Sequence, residues 1–198
     1  DRTLSRSRPA ARRILGLLVA LVLLVILLPY LLVPLYLVVN PVSIPMVARY
    51  VTGQRVVRTN VPLDRVARIL PLTVIAAEDA RFYEHGGIDY KGVLRAGIAN
   101  FSGLGSQGAS TITMQVAKNF YLSTEKTLTR KIYEMLLAFK IESLLSKDQI
   151  LELYMNQIYL GQRAYGFAAA SEAYFGKPLK EIGIAEAAML AGLPKAPS

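Results

Sequence analysis

At 198 residues, 53% hydrophobic, with a formal net charge of +9, the chain can form one domain with a sizeable core plus an accessory segment. With no cysteine and a single histidine, His85, it excludes disulfides, thiolate metal sites and any clustered-histidine zinc site. The basic balance favours anionic partners such as lipid head groups and phosphates; no base-stacking aromatic motif accompanies it, so no nucleic-acid partner is expected.

Residues 1–13 carry Arg2, Arg6, Arg8, Arg12 and Arg13 against Asp1 alone. From Ile14 to Val39 there are 26 residues without a charge. As a helix this run would extend about 39 Å, against a hydrocarbon core of roughly 30 Å. It predicts an uncleaved transmembrane anchor over 14–39, interrupted at Pro29 and Pro34, with its straight part ending near Leu28 and Tyr30 and Tyr36 near an interface. The arginines place the N-terminus in the cytoplasm and everything after Asn40 outside. Beyond Asn40, 18 basic against 13 acidic side chains leave a net charge of +5.

Residues 40–62 mix proline, apolar residues, Arg49, Arg55 and Arg58, and fit either an interfacial helix opened by Pro45 or a plain linker. A short helical piece is expected from Leu63 to Leu70, before Pro71. If Pro71–Tyr83 is helical, Val74, Glu78 and Phe82 share a face. An acid in an apolar stripe loses hydration in its charged form, the setting of a general acid or base; a salt-bridged or solvent-facing acid fits the same spacing. Asp89 reads as the N-cap of a helix to about Asn100, packing Val93, Ala96, Gly97 and Ile98.

The Gly- and Ser-rich stretch 101–109 reads as a loop. The helix from Ser110 to Tyr121 then has Ile112, Val116 and Phe120 on one face and Thr111, Gln115, Lys118 and Asn119 on another. Its start suits an anion site, and equally a capped amphipathic helix with a solvated face. Leu128–Leu145 should pack Leu128, Ile132, Met135, Leu136 and Phe139, with Glu134 in an intrahelical pair with Arg130 or Lys131. Ser146 and Gln149 form a capping box for a helix to about Ile158, and helices over 165–175 and 184–190 complete an all-α outer domain, 63–198. Ser123 and Lys126 form an S-x-x-K, discounted because no S-D-N or K-T-G accompanies it.

Five stretches in order, EDARFYEHGG, GASTITMQVAKN, RKIYE, SKDQILELYMN and AYGFAAASEAYFGK, resemble the motif series of the peptidoglycan glycosyltransferases: monofunctional enzymes and the N-terminal modules of class A penicillin-binding proteins. The resemblance covers 63–198. It implies a lysozyme-like all-α fold, C-terminally incomplete here. The implied activity polymerises lipid II into β-1,4-linked glycan with inversion and release of undecaprenyl diphosphate, on the outer face of the bacterial inner membrane. By resemblance, Glu78 is the catalytic base and Glu134 the second carboxylate. Asp79, Phe82 and His85 support the site, and Ser110, Thr111, Gln115, Lys118, Asn119, Lys126, Arg130 and Lys131 bind substrate and its diphosphate. No cofactor is implied as required; a divalent Mg or Mn ion near the diphosphate stays open. The partners implied are lipid II, the growing glycan chain and membrane lipids, with room for other cell-wall synthesis proteins. Met114 departs from the family's usual glutamine and Lys126 from its usual arginine, and a lysine gives up the bidentate fork to phosphate. A lytic transglycosylase or hydrolase on the same scaffold, and a non-catalytic membrane-tethered scaffold, are the alternatives.

Overall fold

The computed structural model describes residues 7–37, 50–53, 59–102, 108–119 and 127–195. Its α-helices are α1 (Ser7–Leu32), α2 (Ile69–Glu78), α3 (Tyr90–Phe101), α4 (Ile112–Asn119), α5 (Leu128–Glu142), α6 (Lys147–Gln157), α7 (Phe167–Phe175) and α8 (Ile184–Gly192). Among the described residues no strand forms, only an isolated antiparallel bridge between Tyr159 and Tyr165. The all-α expectation holds.

Local signals set several boundaries. Asp89 accepts the Gly92 N–H and caps α3, and Ser146 with Gln149 makes both bonds of the capping box that opens α6. Pro71 falls within the first turn of α2 rather than stopping a helix before it, because N–H groups there lack intrahelical partners and proline forfeits nothing. The helix expected to reach Tyr83 ends at Glu78; Phe82 sits instead in a separate 3-10 turn, Phe82–Glu84.

In the core, α2 packs on α8, and α4 packs between α5 and α6. Leu70, Val74, Phe82, Ile112, Val116, Leu137, Ile150 and Tyr154 are buried in one cluster. Polar clips hold the layers in register. Thr113 donates to Glu142 at 2.6 Å, Lys147 pairs with the same carboxylate at 2.7 Å, and Asn156 brackets the backbone N–H and C=O of Val61. Gly166, at φ +84°, lies so close to α6 that a Cβ there would come within 2.6 Å of the Asn156 carbonyl oxygen.

Two packing expectations are corrected. In α5 the buried side chains are Glu134, Leu137, Ala138 and Ile141, whereas Leu128, Ile132, Leu136 and Phe139 are exposed. In α3, Gly92, Ala96 and Ala99 face inward and Val93, Leu94 and Ile98 face outward. Periodicity marks an apolar stripe, but in α3 the small residues are the buried ones, and in α5 a carboxylate neutralised by cations of its own helix is buried.

The first helix continues through Pro29 to Leu32, past the expected end near Leu28, and gives way to a 3-10 segment, Val33–Leu37, just before Pro34. Val33 is buried in the main core, and α1 touches α5. Among the described residues no helix is long and apolar enough to cross a membrane. The expectations for 40–49 and for Arg55, Arg58, Phe120, Tyr121, Ser123 and Lys126 lie outside the described residues.

Candidate functional site

Glu78 is the last residue of α2 and half-buried; the next residue, Asp79, is the C-cap and is buried. Successive turns of α4 receive these adjacent carboxylates. Asp79 Oδ2 accepts the N–H of Ile112, the first residue of α4, at 3.1 Å, and Glu78 Oε2 accepts from Gln115 Nε2 at 2.7 Å. A carboxylate at a helix N-terminus is stabilised by unpaired N–H groups and by the dipole. Asp79 therefore locks α2 to α4, leaving Glu78 at the surface of the cleft between them.

The rest of the first motif holds that lock. His85 Nε2 donates to Asp79 Oδ1 at 2.8 Å, while Nδ1 is buried with no hydrogen-bond partner among the described residues. Phe82 is in the core, with the Lys147 ammonium 4.4 Å from its ring centroid. Tyr83 donates to Asp148 at 2.8 Å, and burial followed by that carboxylate pushes its hydroxyl up to about 12. Gly87, at φ +74°, runs against the α5 backbone, where a Cβ would meet the Ala138 carbonyl carbon at 3.3 Å. Thr111 Oγ1 donates to the Gly87 carbonyl at 2.6 Å and accepts the Met114 N–H at 3.1 Å, fastening the α4 N-terminus to this turn.

Two cavities meet at Glu78. The larger, about 260 Å³, is lined by Glu78, Arg81, Asp89, Arg95, Ser110 and Lys195 among others. The smaller, about 210 Å³, is lined by Ala77, Glu78, Gly108, Ser110, Gln115 and Lys195. Arg81 is ion-paired with Asp89. Burial alone would raise the Asp89 carboxyl, but the Gly92 N–H and the Arg81 and His85 charges outweigh it and hold it below the ordinary 3.8. Behind the smaller cavity the Tyr154 hydroxyl faces Gln115 Oε1 at 3.5 Å. Burial, then the nearby Glu78 charge, pushes the Tyr154 pKa well up, so it stays a donor.

The second carboxylate is placed differently. Glu134 is 2% exposed and lies between Arg130 and Lys131, with Lys131 Nζ at 3.3 Å from Oε2. Lys131 also donates to Ser110 Oγ at 2.9 Å, so this triad reaches the cleft through Ser110, while Glu134 lines neither cavity. Lys118, exposed in the last turn of α4, and the half-buried Asn119 line neither. Both Glu134 oxygens are engaged by cations, and among the described residues no group of three or more His, Asp or Glu side chains could hold a metal ion. Among the described residues the donor set does not suit a divalent ion.

Arg95, Tyr154 and Lys195 belong to this neighbourhood and were not singled out as site residues from sequence. Tyr154 falls with Ile150 and Ile158 at helical spacing, and no local pattern sets Arg95 or Lys195 apart. Only the convergence of α3, α6 and the 3-10 turn Leu193–Lys195 on one cleft reveals them.

Comparison with known proteins supplies a second line of evidence. A family model described as Transglycosylase matches residues 46–198. A Cupriavidus necator protein named as a transglycosylase is 66% identical over 138 residues, which is 70% of this chain and 60% of that protein. Penicillin-binding protein 1A of Neisseria gonorrhoeae is 67% identical over 131 residues, 66% of this chain and 16% of that protein. The Neisseria flavescens protein of the same name is 65% identical over 137 residues, 69% and 17% respectively. The match thus spans less than two thirds of each of these relatives.

Proposed function

The chain belongs to the transglycosylase family, the peptidoglycan glycosyltransferases, and on that premise we propose that it polymerises lipid II into β-1,4-linked glycan with Glu78 as the general base. The carrying observation is the position of Glu78 on the common wall of two adjoining cavities, its carboxylate aimed by Gln115 and its backbone fixed by the Asp79 lock.

Glu78 takes the proton of the acceptor's 4-hydroxyl as that oxygen attacks the donor's anomeric carbon. The new C–O bond forms on the face opposite the departing diphosphate, which leaves with the bonding electron pair, so the anomeric configuration inverts. Negative charge then builds on the diphosphate, and fixed cations stabilise it without reorganisation. Lys118, Arg130 and Lys131 are assigned this role, with Glu134 keeping Arg130 and Lys131 in place and Lys131 holding Ser110 at the cleft. Asp79 and His85 orient rather than react. We assign Thr111 to the loop-to-helix joint, and Asn119 and Lys126 to the donor side by family resemblance alone.

A membrane-bound substrate suits this chain. The uncharged run from Ile14 to Val39 follows an arginine-rich tail, and α1 covers most of it. We assign it as a single span with the N-terminus in the cytoplasm and the catalytic domain on the outer face of the inner membrane. The exposed stripes Leu128, Ile132, Leu136 and Phe139 on α5, and Leu94, Ile98 and Phe101 on α3, offer apolar surface for the bilayer interface.

The test is to incubate the purified chain with labelled lipid II and resolve the products. Long uncut glycan with released undecaprenyl diphosphate is expected. Anhydro-muramyl fragments from finished peptidoglycan would instead identify a lytic enzyme, and absence of turnover a scaffold.

A further inference from the structure

Two cations at the larger cavity take no part in the chemistry above. Arg95 lies on the exposed side of α3, three residues after the capped Gly92, and Lys195 ends the last 3-10 turn, 100 residues later in the chain. Both line the cavity of about 260 Å³ that holds Glu78, and Lys195 also lines the smaller one.

The carboxylates on this wall are already committed. Asp79 is engaged by His85 and the Ile112 N–H, Asp89 by Arg81 and the Gly92 N–H, and Glu78 Oε2 by Gln115. Among the described residues Arg95 and Lys195 make no ion pair or hydrogen bond. Two elements distant in sequence thus bring positive charge to the same cavity as Glu78. The cations assigned to the donor's diphosphate, Lys118, Arg130 and Lys131, line neither cavity, and Lys131 reaches the cleft wall through Ser110.

We infer that Arg95 and Lys195 form an oxyanion site for the acceptor, taking a phosphate or carboxylate carried by the saccharide whose hydroxyl Glu78 deprotonates. The inference rests on the proposed polymerase reading and deepens it. A guanidinium fork and a mobile ammonium suit a phosphate or a carboxylate. A charge-assisted contact there would orient the acceptor oxygen toward the base, where small displacements are costly to rate. In lipid II two groups have this chemistry, the diphosphate and the carboxylates of the peptide stem.

The experiment measures equilibrium binding of lipid II to the detergent-solubilised chain carrying Glu78→Gln, so that it does not depend on turnover. The comparison adds Lys195→Ala, then Arg95→Ala as well, with thermal melting to verify folding and Lys195→Arg as the charge-retaining variant. We expect affinity to fall about tenfold or more for loss of a charge-assisted contact, and Lys195→Arg to retain most of it. Repeating the series with lipid II stripped of its peptide separates the sources: a persisting loss assigns the diphosphate, a vanishing one the stem carboxylates. Folded variants that bind both ligands as tightly as the parent would overturn the oxyanion site. Failure of the parent chain to polymerise lipid II would overturn the polymerase reading instead, which the binding series does not touch.

Discussion

Gln115 donates from Nε2 to Glu78 Oε2 at 2.7 Å, and its amide oxygen faces the Tyr154 hydroxyl at 3.5 Å. A glutamine amide can present either end, and a carboxylate accepts only from the NH₂ end. Tyr154, kept protonated by its burial, selects that end. Gln115, expected from sequence among the substrate-binding residues, is thus tied directly to the proposed base. Gln115→Ala is expected to lower kcat about tenfold or more, and Tyr154→Phe to lower it less. The discriminating measurement is a double-mutant cycle. If Tyr154 acts through Gln115, Tyr154→Phe costs almost nothing further in the Gln115→Ala background; equal cost in both backgrounds would assign Tyr154 to packing alone.

Glu78→Gln keeps the shape of the side chain and removes its capacity to take a proton. Polymerisation is expected to fall by about a hundredfold or more, with a melting temperature close to that of the parent because Glu78 is only half-buried. Near-normal turnover would remove Glu78 as the base.

Asp79 is buried and satisfies both His85 and the first N–H of α4. Truncation to alanine strands two donors at once, and about 2 kcal/mol or more of stability should be lost. Urea unfolding of Asp79→Ala measures this directly; an unchanged midpoint with unchanged slope would mean that the lock between α2 and α4 is not structural.

Asp89 links pH to stability. Its carboxyl is held below its ordinary value, so its contribution is fully present above the unfolded pKa of 3.8 and declines as pH falls toward and below it. The stability difference between the parent and Asp89→Asn should therefore be largest near neutrality and shrink through about pH 4. Gly92→Ala provides the steric counterpart. A Cβ there would collide with Asp89 Oδ2, so the carboxylate must withdraw from its cap, at a cost of about 1 kcal/mol. A variant as stable as the parent would show that the α3 cap is dispensable.

Local chemistry along the chain was enough to establish the helical class, the Asp89 cap, the Ser146–Gln149 capping box and the pairing of Glu134 with its flanking cations, because each depends on residues within one helical turn. The order of motifs singled out Glu78 as the candidate base. Tertiary structure decided which faces are buried. The apolar stripe of α5 lies outside while Glu134 lies inside, an outcome periodicity cannot foresee because it records amphipathicity but not the neighbour that each face meets. It also ended α2 at Glu78, brought Gln115 and Tyr154 behind that carboxylate, and carried Lys195 back to a cavity that begins more than a hundred residues earlier. Such contacts form between elements far apart in sequence, and they are specified by the packing of the whole core rather than by any one segment.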